Sequence, residues 1–163
     1  ASTCKYLEAA PTTGANSWTD ARYVWSGNTS TLIGSTAQGQ AIGTGYKNTE
    51  AIVTQSGGGT TVNKAGTIAR AYRGPNSLSD WYLPSTLELN QLCRYAWNLT
   101  VDNSATTCTG VTGTIRSGFS SVYYWSSSES AAGHARLQGF DSGSQYSDRK
   151  TSTYFVRPVR AFG

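Results

Sequence analysis

The sequence predicts an α+β domain with high loop content: two or three helices packed on small antiparallel sheets, with strands at both chain ends. Three observations carry this expectation. Apolar residues recur at helical spacing only in the middle of the chain, roughly from residue 48 to 97. Aromatic and β-branched runs without that period lie near the ends, at "CKYLEAAP" (4–11), "YYW" (123–125) and "FVRPVRAF" (155–162). The rest is rich in Ser, Thr and Gly, with 18 Gly and only 13% charged residues, which suits an extracellular loop-rich domain better than a helical enzyme. A single core suffices for 163 residues, so one domain over 1–163 is expected.

Taken in order, "CKYLEAAP" reads as a short apolar strand stopped by Pro11. Residues 12–43, with Trp18 and Trp25 spaced through them, read as loops and short strands. "NTEAIVTQ" (48–55) predicts a short helix capped by Asn48 and ended by "SGGG". In "TVNKAGTIARAYRGP" the residues Val62, Ala65, Ile68, Ala69 and Tyr72 share a helical face, and Gly74-Pro75 supplies the stop. "DWYLPSTLELNQLCRYAW" (80–97) carries the best-specified local signal. Its first residues are extended, Pro84 blocks their continuation, and Ser85-x-x-Glu88 is a capping box. Leu89, Leu92, Cys93, Ala96 and Trp97 follow as an apolar stripe. Residues 98–117 are loop-like and the remainder is strand-rich, so the terminal strands can pair and close the domain.

Enzyme chemistry fails on inventory. The single histidine, His134, sits in a Gly/Ala-rich turn, and there is no GxSxG motif. The acids are scattered; Glu88 and Glu129 are the one carboxylate pair to consider for glycoside hydrolysis, and Glu88 already has a capping role. "GTG" (43–45) lacks the Lys-Ser/Thr partner of a phosphate loop. Cys4, Cys93 and Cys108 match no zinc spacing. A Cys93–Cys108 disulfide would contribute about 3 kcal/mol by closing a loop of about 15 residues. A bridge from Cys4 to either, or three free thiols, are the alternatives. No catalytic residue, metal or cofactor is expected.

The net charge of +4 is concentrated toward the C-terminus, where six basic residues from Arg116 onward face three acidic ones. Nothing there forms a basic helix or an aromatic-basic motif, so no nucleic-acid partner is expected. No stretch approaches the ~18 apolar residues of a membrane span, so no direct membrane insertion is expected either. The chain has no Met and no signal peptide, which suggests the terminal domain of a longer surface protein.

What the composition does suit is recognition. Residues 121–162 set a mixture of Tyr, Ser, Gly and Asp between two core-like anchors. Tyr supplies contact area at low entropic cost, while Ser and Gly supply room and hydrogen bonds.

"DWYLPSTLELNQL", "GF", "YYWSSSE", the F-x-x-G of Phe140 to Gly143 and "VRPVRAF", in that order, resemble a bacterial surface-domain family. It is the C-terminal domain of Lcl-type collagen-like adhesins, a variant of the C-type lectin-like fold close to the formylglycine-generating enzyme. The match spans roughly residues 4–10 and 41–162. The resemblance implies paired terminal strands, and it implies that Trp81, Leu83, Pro84, Trp125, Ser126, Arg157, Pro158 and Arg160 are scaffold. It also implies a bacterial cell-surface or phage location, a protein or glycan ligand on another cell or particle, and a homotrimer. Formylglycine-generating activity is not implied, because no cysteine follows Cys108. Calcium-dependent sugar binding is not implied either, since only Gly74-Pro75-Asn76 stands in for the lectin motifs.

The same fold and ending resemble the variable proteins of diversity-generating retroelements. There, Asn codons are randomised in a way that never yields Lys, Gln, Glu, Trp or Met. Between Ser130 and Phe155 only Gln138, Gln145 and Lys150 fall outside the permitted set, and no Asn follows Asn103. The expected ligand contacts are Ala131, Gly133, His134, Leu137, Gly139, Asp141, Ser142, Ser144, Tyr146, Ser147, Asp148 and Tyr154. Ala135, Gln138, Phe140, Gly143, Gln145 and Lys150 read as interspersed framework. An alternative is a fixed adhesin for sulfated or other anionic polysaccharides using Arg136, Arg149 and Lys150; a second is a structural trimerising tip.

Overall fold

The two ends of the chain meet in a ribbon. In the computed structural model, which describes residues 5–58 and 63–163, β1 (Tyr6–Ala9) runs antiparallel to β7 (Val159–Phe162). Tyr6 lies opposite Phe162 and Ala9 opposite Val159. The second sheet takes β2 (Arg22–Val24), β3 (Tyr123–Ala131), β4 (His134–Gly139), β5 (Gln145–Arg149) and β6 (Thr153–Phe155) in the order β2-β6-β3-β4-β5. Its neighbours are antiparallel except β3 and β6, which meet in parallel at Tyr124 and Phe155. With α1 (Gly45–Gln55), α2 (Ala65–Ala71) and α3 (Thr86–Ala96), this is the expected α+β arrangement with paired terminal strands.

The helices differ in how well local signals place them. α3 starts where the capping box puts it: Ser85 Oγ accepts from the Glu88 amide at 3.4 Å, and Glu88 Oε2 accepts from the Ser85 amide at 2.7 Å. α1 begins three residues before the expected Asn48 cap, after Thr44, which makes no side-chain cap bond. Asn48 is instead buried inside the helix and clamps the preceding loop, donating to the Gly39 carbonyl and accepting from the Gly39 amide. An Asn with backbone partners elsewhere has no need to cap its own helix. α2 is shorter than its periodic stretch; Tyr72 ends it in an extended conformation, and Val62 lies outside the described residues. Gly66 lets α2 close on α1, since a Cβ there would stand 2.5 Å from Ile52 Cγ2.

Alternation along β3 divides the interior into two cores. Trp125 joins Trp18, Trp25, Ile52, Trp81 and Leu83 on one side. Tyr124 joins Leu89, Cys93, Phe140 and Val159 beneath α3 on the other. Three of the four indoles in this core find a partner for their N–H: Trp18 donates to the Val156 carbonyl, Trp25 to that of Ser126 and Trp125 to that of Tyr23, while Trp81 Nε1 has none among the described residues. Cys93 and Cys108 form a disulfide that ties α3 to the loop after it. Cys4 lies outside the described residues. The terminal arginines are ties rather than surface charge. Arg157 grips Asp20 with two nitrogens, at 2.7 and 2.8 Å, and Arg160 reaches both Asp80 and Glu8.

Candidate functional site

β3, β4 and β5 form two successive hairpins, and the register of the second decides where each expected contact residue points. Leu137 lies opposite Tyr146, Ala135 opposite Asp148, Arg136 opposite Ser147 and His134 opposite Arg149. With side chains alternating between faces, the residues separate into two groups. Leu137, Tyr146, Ala135 and Asp148 share one face. His134, Arg136, Ser147 and Arg149 share the other, where Ser147 Oγ meets Ser130 Oγ at 2.6 Å. Nearer the β4–β5 turn this second face is buried: Gln138 donates to Asn90 Oδ1 at 2.8 Å, and Gln145 donates to the Thr86 carbonyl at 3.0 Å.

The first face gathers three tyrosines. Tyr123 stands edge-to-face with Tyr146 (5.6 Å between centroids) and with Tyr154 (5.7 Å), and Tyr154 stands edge-to-face with the buried Trp125 (4.8 Å). The Tyr154 hydroxyl crosses from β6 to Asp148 on β5, donating to Oδ2 at 2.5 Å. At the other end Ser142 Oγ lies 3.3 Å from the Tyr146 hydroxyl, and Asp141 Oδ1 accepts from the Ser142 amide at 2.7 Å. Gly139 makes this convergence possible. A Cβ there would lie 2.5 Å from Asp141 Oδ1 and 2.7 Å from Tyr123 Cε1. Asp141, Ser142 and Tyr146 are exposed, while Asp148 and Tyr154 are half-buried.

The electrostatics of this face are acidic. The Tyr154 hydroxyl bond, more than any other cause, holds the Asp148 carboxyl below the usual carboxylate range. Tyr154 in turn is pushed up to about 12, first by burial and then by its bond to Asp148. The charge of Asp141 raises Tyr123.

Several expectations need correction. Leu137 is only 3% exposed: it shares the face of Tyr146 but is covered there by the tryptophan core that it joins with Trp125. Gly139 is buried too, serving as the gap into which its neighbours fit. Lys150 is fully buried and cannot meet a ligand at the surface. Its Nζ lies 2.6 Å from Glu129 Oε1 and sits over the Trp25 ring. Glu129 also accepts from the Ile33 and Gly34 amides, so the pair pins the loop before α1 to the sheet. His134 and Ser147 are exposed but lie on the opposite face from Tyr146. Ala131 is exposed at the β3–β4 turn, Gly133 is half-buried in it, and Ser144 is half-buried before β5.

The six residues read as framework, Ala135, Gln138, Phe140, Gly143, Gln145 and Lys150, are all buried or half-buried. Tyr123 was not among the expected contacts. It begins a run of three aromatics that reads as core, yet it is 36% exposed at the first position of β3, beyond the cover given to Trp125.

The C-terminal basic surplus does not make a patch. Lys150, Arg157 and Arg160 are ion-paired, and Arg116 stacks on Tyr95. Arg136 and Arg149 remain without an ion pair among the described residues. Glu88 and Glu129, the two carboxylates considered for catalysis, are both buried and committed to backbone amides. Among the described residues, no group of three His, Cys, Asp or Glu gathers as a metal site, and no helix is long and apolar enough to cross a membrane.

Comparison with curated proteins finds no match to the chain. Comparison with protein families matches the Lcl C-terminal domain over residues 20–160, nearly the whole sequence. That span includes residues 20–40, which hold Trp25, the Asp20 partner of Arg157 and the loop anchored by Glu129. The chain belongs to the Lcl C-terminal domain family.

Proposed function

We propose that this chain is the non-enzymatic ligand-binding domain of a bacterial surface adhesin or receptor, and that its recognition surface is the tyrosine-lined face of β3, β4 and β5. The observation that carries this reading is the convergence of Tyr123, Tyr146 and Tyr154 with Asp141, Ser142 and Asp148 on one sheet face, of which Tyr123, Asp141, Ser142 and Tyr146 are exposed. The rings are held by one another and by Trp125, so little side-chain freedom is lost on contact with a ligand. The family's adhesin character supports the surface location.

A diversified version of this face is supported by where the excluded residue types fall. Gln138 and Lys150 are fully buried, and Gln145 is half-buried with its amide bonded to Thr86. The types that randomised Asn codons never yield are thus spent on framework. The anionic-polysaccharide alternative retains Arg136 and Arg149 on the opposite face but loses Lys150 to Glu129.

Arrays of surface proteins and of neutral and sulfated glycans, probed with the labelled domain, test the reading. It expects at least one ligand whose binding falls on Tyr146→Ala. Ligands lost only on Arg149→Ala would move the function to the opposite face and to anionic glycans. Sequencing the coding locus across a population tests diversification: differences confined to exposed codons of 130–155, beside a near-copy template, are expected, and an invariant single copy would remove it.

A further inference from the structure

We propose that the tyrosine face receives a cationic group, a lysine or arginine side chain presented by a protein ligand. This rests on the reading of that face as the recognition surface and names the chemistry it selects.

Three observations lead there. The first is the rings themselves. A tyrosine face carries the negative lobe of the ring quadrupole and attracts a cation placed within about 6 Å of the centroid. The chain uses this attraction on its own account: an Arg or Lys lies over Trp25, Tyr46, Tyr95 and Phe119, among others. Over Tyr123, Tyr146 and Tyr154 the described residues place none. The most concentrated tyrosine cluster of the sheet is therefore the one its own cations leave open.

The second observation is the pair of carboxylates that flank the rings. An ionised carboxylate accepts up to about four hydrogen bonds. Asp148 accepts from Tyr154 and from the Arg149 amide, and Asp141 accepts only from the Ser142 amide, through Oδ1. Asp141 Oδ2, on an exposed residue beside Tyr123, has no partner among the described residues.

The third is the placement of the nearby positive charge. Arg136 and Arg149 belong to the same hairpin but alternate to the opposite face. His134, at the far end of β4, is the basic group whose field reaches Asp148. A sulfate or carboxylate arriving at the tyrosines would meet two carboxylates and the electron-rich rings, with hydroxyl donors to hold it. A guanidinium or ammonium would meet the complementary charge of Asp141 and Asp148 beside the rings.

The test is a chemical-shift titration of the isotope-labelled domain with three probes. They are a capped Gly-Arg-Gly-Lys-Gly peptide, the same peptide with Glu in place of Arg and Lys, and a sulfated disaccharide. The basic peptide is expected to shift amides around Tyr123, Asp141 to Tyr146 and Tyr154. Its affinity should fall about fivefold or more in Asp141→Asn and in Tyr146→Ala, and stay within about twofold in Ser147→Ala. Asp141 and Tyr146 are exposed, so both variants should keep the wild-type spectrum elsewhere. Acidic or sulfated probes shifting this face, or a basic peptide indifferent to Asp141→Asn, would overturn the cation assignment and leave the recognition face standing. A face that responds to none of the three probes, nor to the ligand found on the arrays, would remove both.

Discussion

Lys150 and Glu129 offer the sharpest test of how the β3–β5 hairpins are held in place. Both side chains are fully buried, with Nζ 2.6 Å from Oε1 and 3.3 Å from the Thr31 carbonyl. Removing one partner leaves the other charge in the interior, which costs about 3–5 kcal/mol. Lys150→Met strands the carboxylate on two backbone amides, those of Ile33 and Gly34. Glu129→Gln keeps a side-chain acceptor for those amides but strands the ammonium over Trp25. The double variant, Glu129→Gln with Lys150→Met, buries no charge. What remains is weaker acceptance of the two amides and a Thr31 carbonyl that keeps only its bond from Gln55 Nε2, about 1–3 kcal/mol in all. The double variant is therefore expected to be more stable than either single one, with a coupling of several kcal/mol. Since a domain of this kind has about 5–15 kcal/mol in total, the singles should lie near the edge of folding. Urea unfolding followed by tryptophan fluorescence measures all four proteins. A Lys150→Met variant within about 1 kcal/mol of the parent would refute the reasoning, because it would mean that the ammonium reaches water.

Other perturbations give equally definite expectations. Reducing the Cys93–Cys108 disulfide, which spans a sequence separation of 15, should cost about 3 kcal/mol and lower the urea midpoint; an unchanged midpoint would contradict its structural role. Gly143→Ala should destabilise by more than about 2 kcal/mol, because φ there is +73° and the new Cβ would lie 2.1 Å from the Cys108 carbonyl oxygen. Gly133→Ala, whose Cβ would meet nothing closer than 3.7 Å, should stay within about 1 kcal/mol. Tyr154, raised to about 12 from the ordinary 10, should be among the late tyrosines to ionise in an ultraviolet alkaline titration, and Tyr154→Phe should remove that late step. Since its folded value lies above its unfolded one, its contribution to stability is complete below pH 10 and is lost as pH rises from 10 through 12. A parent protein whose unfolding free energy falls no faster over that interval than that of Tyr154→Phe would contradict the raised value, which rests first on burial and then on the bond to Asp148.

How legible these features were depended on how local their causes are. The start of α3 follows from Ser85 and Glu88, two residues three positions apart that satisfy one another, and it reads directly from the sequence. The terminal ribbon was also readable, because two apolar strands at opposite ends have few other partners. The start of α1 was not, because Asn48 bonds to Gly39, nine residues back, across a loop with no pattern. Lys150 sits in "DRKTS" and reads both as framework and as a surface cation for an anionic ligand; only the fold brings it to Glu129, 21 residues away. The candidate face shows the same division. Its composition of Tyr, Ser, Gly and Asp was visible, and so were the interspersed framework positions. Which residues share a face depends on the β4–β5 register, fixed by a turn whose Gly143 packs on Cys108 across the disulfide loop. A slip of one residue in β5 would exchange Tyr146 with Ser147 on this face, while β3 still holds Leu137 opposite Trp125.

Tyr146 and Ser147 are also where the central claim meets its most direct test. They are neighbours on β5 and point to opposite faces. The measurement is the affinity of a ligand found on the arrays for the parent, for Tyr146→Ala and for Ser147→Ala. If the tyrosine face is the recognition surface, Tyr146→Ala loses about tenfold or more and Ser147→Ala stays within about twofold. The reverse order would contradict the account and place recognition on the face of His134, Arg136 and Arg149.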